Sequence, residues 1–434
     1  MSFLPTSVRH RSADIFSALG VVLVGLSAGI VGVTRPKLAI VMILAGVYVG
    51  LLVLRPITTA VVATSAVYAI RDVGLGGGLG GTDVTILIAS GLALPALAHS
   101  DEFKRLAVVN RGMLLYLVTL VPTLAVNFTG AAGREVVHRL LLVVAPAIVG
   151  AWLVREGRLR PALRLYVLTS TVLAIFAIVA CASNGFGPAQ PLGFNKNYLG
   201  SLLSFALLVV LCASEYLGMA VTLRFGSLLV LGTGSLACQS RGAVLGVTLG
   251  ALLWLFSPGQ RLTSEKRGRA VAVLLAVGFA IFASYSVHEQ LTSSDVATNS
   301  AGVRLNVEKA TRDVWRTSPV VGVGLRYFNT GNYGYFAQYA NNAFDNELAE
   351  SGIVGTTGFV LLHGSVGLAL WRRRRTAVGG AALAVFAANF LHGQFDNYWS
   401  SGVTALPFLL AGAGLAAARM EDVPSGVRPR RLFV

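Results

Sequence analysis

Carboxylates can move protons and arginines can hold phosphate. This chain gathers both between His288 and Glu350, a 63-residue stretch with seven of its 19 acids: Glu289, Asp295, Glu308, Asp313, Asp345, Glu347 and Glu350. From Gly302 to Thr317 the spacing predicts an amphipathic helix. Val303, Val307, Ala310 and Val314 form one stripe, and Arg304, Glu308, Arg312 and Arg316 another. Glu308 and Arg312 have the polarity that favours an i,i+4 pair, and Ser318-Pro319 ends the helix. Two readings fit it: a helix resting on a membrane surface with a solvated charged face, or one on which Arg304 grips a phosphate-bearing ligand. Gly322-Val323-Gly324 follows, but no strand–turn–helix unit surrounds it, so it is not a nucleotide fingerprint. Tyr327, Phe328, Tyr333, Tyr335, Phe336 and Tyr339 suit either an interfacial belt or platforms for sugar rings. From Asn341 the chain reads NNAFDNELAESGIVG, and on a helix Asn341 shares a face with Asp345, as Asn346 does with Glu350. Carboxylates beside arginines at a membrane rim can transfer protons. The same pattern also describes a capped, charged helix start. Arg241, in Gln239-Ser240-Arg241-Gly242 between two apolar runs, is equally a snorkelling anchor or a ligand contact.

The elements that must position these residues are membrane spans. Of 434 residues, 55% are hydrophobic and only 12% charged, about half the charged share of a soluble domain. So few charges could not cover a water-soluble surface, which excludes a soluble enzyme, a disordered chain and a disulfide scaffold. Apolar runs recur at 13–33, 38–54, 56–70, 84–99, 111–128, 139–154, 163–182, 198–216, 225–238, 242–257, 270–287, 352–371, 377–390 and 401–418. The expectation is an all-α multi-pass membrane protein with 12 to 14 transmembrane helices and one large outer loop containing short helices. Its division is 1–287 N-terminal transmembrane helices, 288–350 extracytoplasmic loop, 351–418 C-terminal transmembrane helices and 419–434 cytoplasmic tail.

The formal charge of +16 sits in short clusters between the runs, as the positive-inside rule expects, and argues against nucleic acid as a partner. With both termini cytoplasmic, 23 of the 35 basic residues fall on the cytoplasmic side. The run after Arg9 and Arg11 is too long for a signal-peptide core and reads as a retained helix. Gly74 to Gly81 reads as a flexible outer loop. Cys181, Cys212 and Cys238 have neither metal-ligand nor CxxC spacing and read as inert thiols.

Taken in order, these pieces resemble the O-antigen ligase and O-antigen polymerase-like family of bacterial membrane glycosyltransferases, most strongly from about Gly232 to Gly414. The resemblance rests on the Ser240-Arg241-Gly242 turn, the stretch from Gly302 to Gly324, and Glu350-Ser351-Gly352-Ile353-Val354-Gly355. Gly193-Phe194-Asn195-Lys196-Asn197-Tyr198, opening a helix, adds to it. Asn342, Leu348, Glu350, Gly352 and Gly355 fit the family pattern. Two positions depart: Asn341 stands where family ligases have a histidine implicated in catalysis, and Asp345 stands at an apolar position. Asparagine cannot act as a general base, which favours a polymerase or divergent transferase over a ligase of the usual form.

The resemblance implies glycan transfer from a polyprenyl-pyrophosphate carrier to a hydroxyl of a glycan, lipid or protein acceptor. The reaction would take place on the outer face of the bacterial cytoplasmic membrane, within membrane lipid. It implies no cofactor, because the donor already holds its leaving group, and no obligatory metal. Arg241 and Arg304 match family positions and would bind the diphosphate. Asn341, Asp345 and Glu350 are the catalytic candidates, and Asn342, Tyr327 and Tyr339 the candidates for acceptor or sugar contacts. Asp345, one helical turn from the missing histidine, would supply the base or orient the acceptor; the alternative is a structural pairing with Arg304 or Arg241. The main rival is a transporter or lipid-linked glycan flippase. Such proteins place ionisable groups within spans, and here Glu215 is the one acid expected inside the later runs, near a cytoplasmic end.

Overall fold

The computed structural model describes residues 56–65, 67, 81–257, 268, 278, 281, 300–329, 342–396, 398–399 and 401–417. The runs expected at 13–33 and 38–54, the glycines from Gly74 to Gly80, most of 270–287 and the C-terminal tail lie outside the described residues. Among the described residues all regular structure is helical. In chain order the helices are α1 (Pro56–Ala63), α2 (Gly81–Leu97), α3 (Asp101–Arg105), α4 (Ala107–Asn127), α5 (Gly130–Arg155), α6 (Leu159–Ser183) and α7 (Lys196–Leu217). They continue with α8 (Val221–Ala237), α9 (Arg241–Leu255), α10 (Ser300–Thr317), α11 (Ala343–Arg373), α12 (Ala377–His392) and α13 (Ser401–Ala416).

Helices α4, α5, α6, α7 and α11 are long and apolar enough to cross a membrane, and five shorter apolar helices accompany them. Exposed apolar side chains run in helical stripes along their outsides, such as Leu114, Leu115, Val118 and Val121 on α4. Leu168, Val172, Ile175 and Val179 do the same on α6. Such stripes would aggregate in water and suit a lipid surface. This is a multi-pass membrane protein.

Close packing inside the bundle depends on small residues. Helix α13 lies along α5, where Gly150 meets the Leu409 carbonyl and Gly412 meets Ala147 so closely that a Cβ on either glycine would collide with backbone. Gly150→Leu is therefore expected to push α5 off α13, costing about 3 kcal/mol or more by overpacking. Thermal unfolding in detergent checks it; an unchanged midpoint would remove this crossing from the account.

Two helices start nine residues before their apolar runs. Helix α5 begins at Gly130 instead of 139, and α11 at Ala343 instead of 352. The added turns carry Glu135, His138, Glu347 and Glu350, all buried. The segment after α10 explains how α11 tolerates this. Gly352 breaks α11 with φ 65° and ψ −170°, a conformation open essentially to glycine alone. The interrupted backbone is satisfied from outside: Ile353 N–H donates to Pro319 O at 3.0 Å and Val354 N–H to Val320 O at 3.2 Å. In return, Val323 N–H donates to Ala349 O at 2.9 Å and Gly324 N–H to Glu350 O at 3.0 Å. The loop is thus laced onto a broken helix, as irregular backbone at membrane depth requires. Helix α10 forms as its spacing predicts, with Val307 and Val314 buried. Val314 packs with Phe328 and Ala349, while Glu308 pairs with Arg312 on the open face.

Candidate functional site

Glu135 and Arg139, one turn apart on α5, begin a buried charged cluster at the loop end of the bundle. Arg139 is 1% exposed, and each guanidinium nitrogen meets a different carboxylate. Nε donates to Glu135 Oε1 at 2.9 Å and Nη2 to Glu350 Oε2 at 3.2 Å, while Nη1 donates to the Tyr116 hydroxyl and lies 2.6 Å from Glu347 Oε1. The Arg139 guanidinium also lies 4.8 Å from the Trp399 ring centroid, a ring stacked on Tyr116 at 6.0 Å and met edge-on by Phe359 and Tyr398. Glu347 is held further by Tyr116 O–H at 2.9 Å, Trp399 Nε1–H at 2.8 Å and Ser351 O–H at 3.1 Å.

The cluster extends outwards on both sides. Arg326, with φ 61° in the loop, places its Nε 2.6 Å from Glu135 Oε2. His138 stands 3.8 Å from both Asp83 of α2 and Glu135. Buried charges persist only when paired and hydrogen-bonded, so these contacts fix the first turns of α11 against α4, α5 and the loop. With every guanidinium nitrogen occupied, Arg139 is a positioning group and not a ligand-binding one.

A second convergence lies alongside. Helices α7, α9 and α11 all present their N-termini at this end, capped by Asn195, Ser240 and Asn342. The α7 and α9 ends touch, a Cβ at Gly200 standing only 3.0 Å from Ser240 Cβ. The C-terminus of α12 closes the group: His392 Nε2 is 2.6 Å from Ser201 Oγ of α7, and Gly393 O accepts from Ala343 N–H at 2.8 Å. Gly242, the second residue of α9, lies against the His392 ring. Lys196 and Arg241, the first residues of α7 and α9, are both half-buried there. Helix N-termini attract anions, and the two cations stand beside them.

Of the residues singled out from the sequence, Arg241 and Asn342 come together in this group. The Asn342 side chain caps α11, its Oδ1 accepting from Phe344 N–H at 2.9 Å. Asp345 is 9% exposed, its Oδ2 has no hydrogen-bond partner, and the charges acting on it are Arg312 and Glu308 of α10. Glu350 belongs to the Arg139 cluster. Tyr327 packs edge-on to Phe328, ring centroids 5.6 Å apart, beside Val314 and Ala349. Arg304 falls on α10, its side chain outside the described atoms; Asn341 and Tyr339 lie outside the described residues.

Sequence reasoning missed Arg139, Glu135, Glu347, Tyr116, Trp399 and His392. The signal was present in the i,i+4 spacing of Glu135 and Arg139 and the i,i+3 spacing of Glu347 and Glu350. Starting the spans after the acids kept charge out of the bilayer and hid their partnership.

The described residues define an all-helical, multi-pass membrane protein whose buried ion pairs form one cluster at the loop end of the bundle. Its residues 225–360 match the family model described as O-antigen ligase. The chain is therefore O-antigen ligase-like across this stretch, which takes in Arg241, α10 and the Asn342–Glu350 turn, while Arg139 precedes it. No curated protein gives a significant match.

Proposed function

We propose that this protein transfers a glycan from a polyprenyl-pyrophosphate carrier to an acceptor hydroxyl on the outer face of the cytoplasmic membrane, as a surface polysaccharide polymerase or ligase. The observation that carries this reading is the convergence of Arg241, Lys196 and three helix N-termini beside the Asp345-bearing turn, largely within the matched stretch. Arg241, Lys196 and the N-termini hold the diphosphate, with Arg304 of the family pattern as a further cation. The acceptor oxygen bonds to the anomeric carbon as the bond from that carbon to the carrier phosphate breaks. The diphosphate departs with the electron pair, and its growing charge meets groups already oriented to receive it. Asp345, with one carboxylate oxygen unpartnered, accepts the hydroxyl proton in place of the family histidine that Asn341 replaces. Asp345→Asn is expected to lower transfer about 100-fold with folding unaltered; full activity in a glycan transfer assay would dismiss this base.

Gene deletion followed by analysis of lipid-linked glycans tests the reading itself. Accumulated short polyprenyl-linked repeats identify a polymerase, and accumulated full-length chains identify a ligase. If both pools stay at wild-type levels, the reading is wrong.

One observation favours a second reading. Ionisable groups within spans often mark ion or substrate pathways, and the Arg139 cluster holds several. A transporter or lipid-linked glycan flippase predicts substrate uptake by sealed vesicles without any glycan transfer.

A further inference from the structure

At the opposite end of the bundle the helix ends enclose a cavity of about 360 Å³ that the proposed reaction does not use. Its charged lining is Arg224 of α8, Arg374 and Arg375 of the α11–α12 turn, and Glu215 of α7. Three guanidiniums against one carboxylate leave a positive excess, suited to an anion. Two of them are incompletely satisfied: the Nε atoms of Arg224 and Arg374 are buried without a hydrogen-bond partner. An unpaired buried donor is destabilising, and an acceptor oxygen in the cavity would remove that penalty.

The remaining geometry also favours an anion. Arg374 is held in place by its Nη1–H bond to Trp371 O at 2.7 Å and by the Trp371 ring, 3.9 Å below its guanidinium. Thr376 caps α12, accepting from Gly379 N–H at 3.0 Å, and Thr376, Ala377 and Gly380 line the cavity. The positive end of a 16-residue helix thus faces the same space as the arginines. The cavity is larger than one phosphate needs and leaves room for an attached glycerol-sized group. This end also carries Arg155, Arg158, Arg160, Arg164 and the run from Arg372 to Arg375, the asymmetry that marks a cytoplasmic side, where anionic lipids concentrate.

We propose that this cavity binds a phosphate ester, with the headgroup of an anionic phospholipid as its ligand. The proposal stands independently of the reaction at the other end.

The test uses the full chain, purified in detergent and stripped of lipid, with thermal unfolding read against added phosphatidylglycerol, phosphatidylcholine or inorganic phosphate. Phosphatidylglycerol is expected to raise the unfolding midpoint and phosphatidylcholine to leave it unchanged. In the double variant Arg224→Gln, Arg375→Gln, the apparent affinity for phosphatidylglycerol should fall about tenfold or more. Glu215→Gln keeps all three arginines and should strengthen binding, an opposite sign that general damage to the fold would not give. A shift reproduced by inorganic phosphate supports the site and makes free phosphate its ligand. Equal responses to the two lipids, or a phosphatidylglycerol affinity unmoved by both variants, would overturn it.

Discussion

Arg139→Met is expected to yield a protein that unfolds far below the wild type or fails to accumulate. The substitution removes one side chain and leaves Glu135, Glu347 and Glu350 facing each other in a buried site, with Arg326 as the remaining guanidinium. Removing one partner of a buried ion pair costs about 3–5 kcal/mol, a large part of the roughly 5–15 kcal/mol that holds a typical domain together. Lysine is a poor substitute, because one ammonium cannot meet three carboxylates from three separate nitrogens in a plane. Combining Arg139→Met with Glu347→Gln removes one of the stranded charges, so the double variant should be more stable than the sum of the two single effects. Thermal unfolding in detergent reads all three variants. A wild-type midpoint for Arg139→Met would mean that the cluster does not hold α11 in place.

Arg241→Ala is expected to do the reverse: fold normally and lose function. Arg241 opens α9 at the rim, half-buried, and Ser240 caps the helix through Ala243 N–H whatever follows it. Glycan transfer should fall about 100- to 1,000-fold, the usual effect of removing one group that stabilises developing transition-state charge. Arg241→Lys should recover part of the loss, since a point charge still attracts phosphate but cannot bind it bidentately. An unfolding midpoint equal to wild type, measured on the same preparation, separates this from Arg139→Met. A transfer-competent Arg241→Ala would remove the diphosphate site from this end of α9.

The two residues also show how far the sequence could be read. The position of Arg241 at a turn between two helices was legible because its neighbours separate two apolar runs, a local pattern. Helix α10 was legible for the same reason, its valines and charges repeating at helical spacing. Arg139 was not, since its meaning lies in partners from α4, α11 and the segment before α13, far away in the chain. Nor could apolar runs alone show that α11 runs from Ala343 through the Gly352 break, beyond which carbonyls of Pro319 and Val320 complete the backbone. Hydropathy records which residues prefer lipid. It carries no information on which charges neutralise one another inside it.

The central claim is most directly tested by reconstituting the purified protein with a polyprenyl-pyrophosphate-linked glycan and an acceptor, and quantifying free polyprenyl pyrophosphate. The account predicts one carrier diphosphate released for each glycosidic bond formed, with both products lost together in Arg241→Ala. Intact donor alongside glycan moved across the membrane would contradict it.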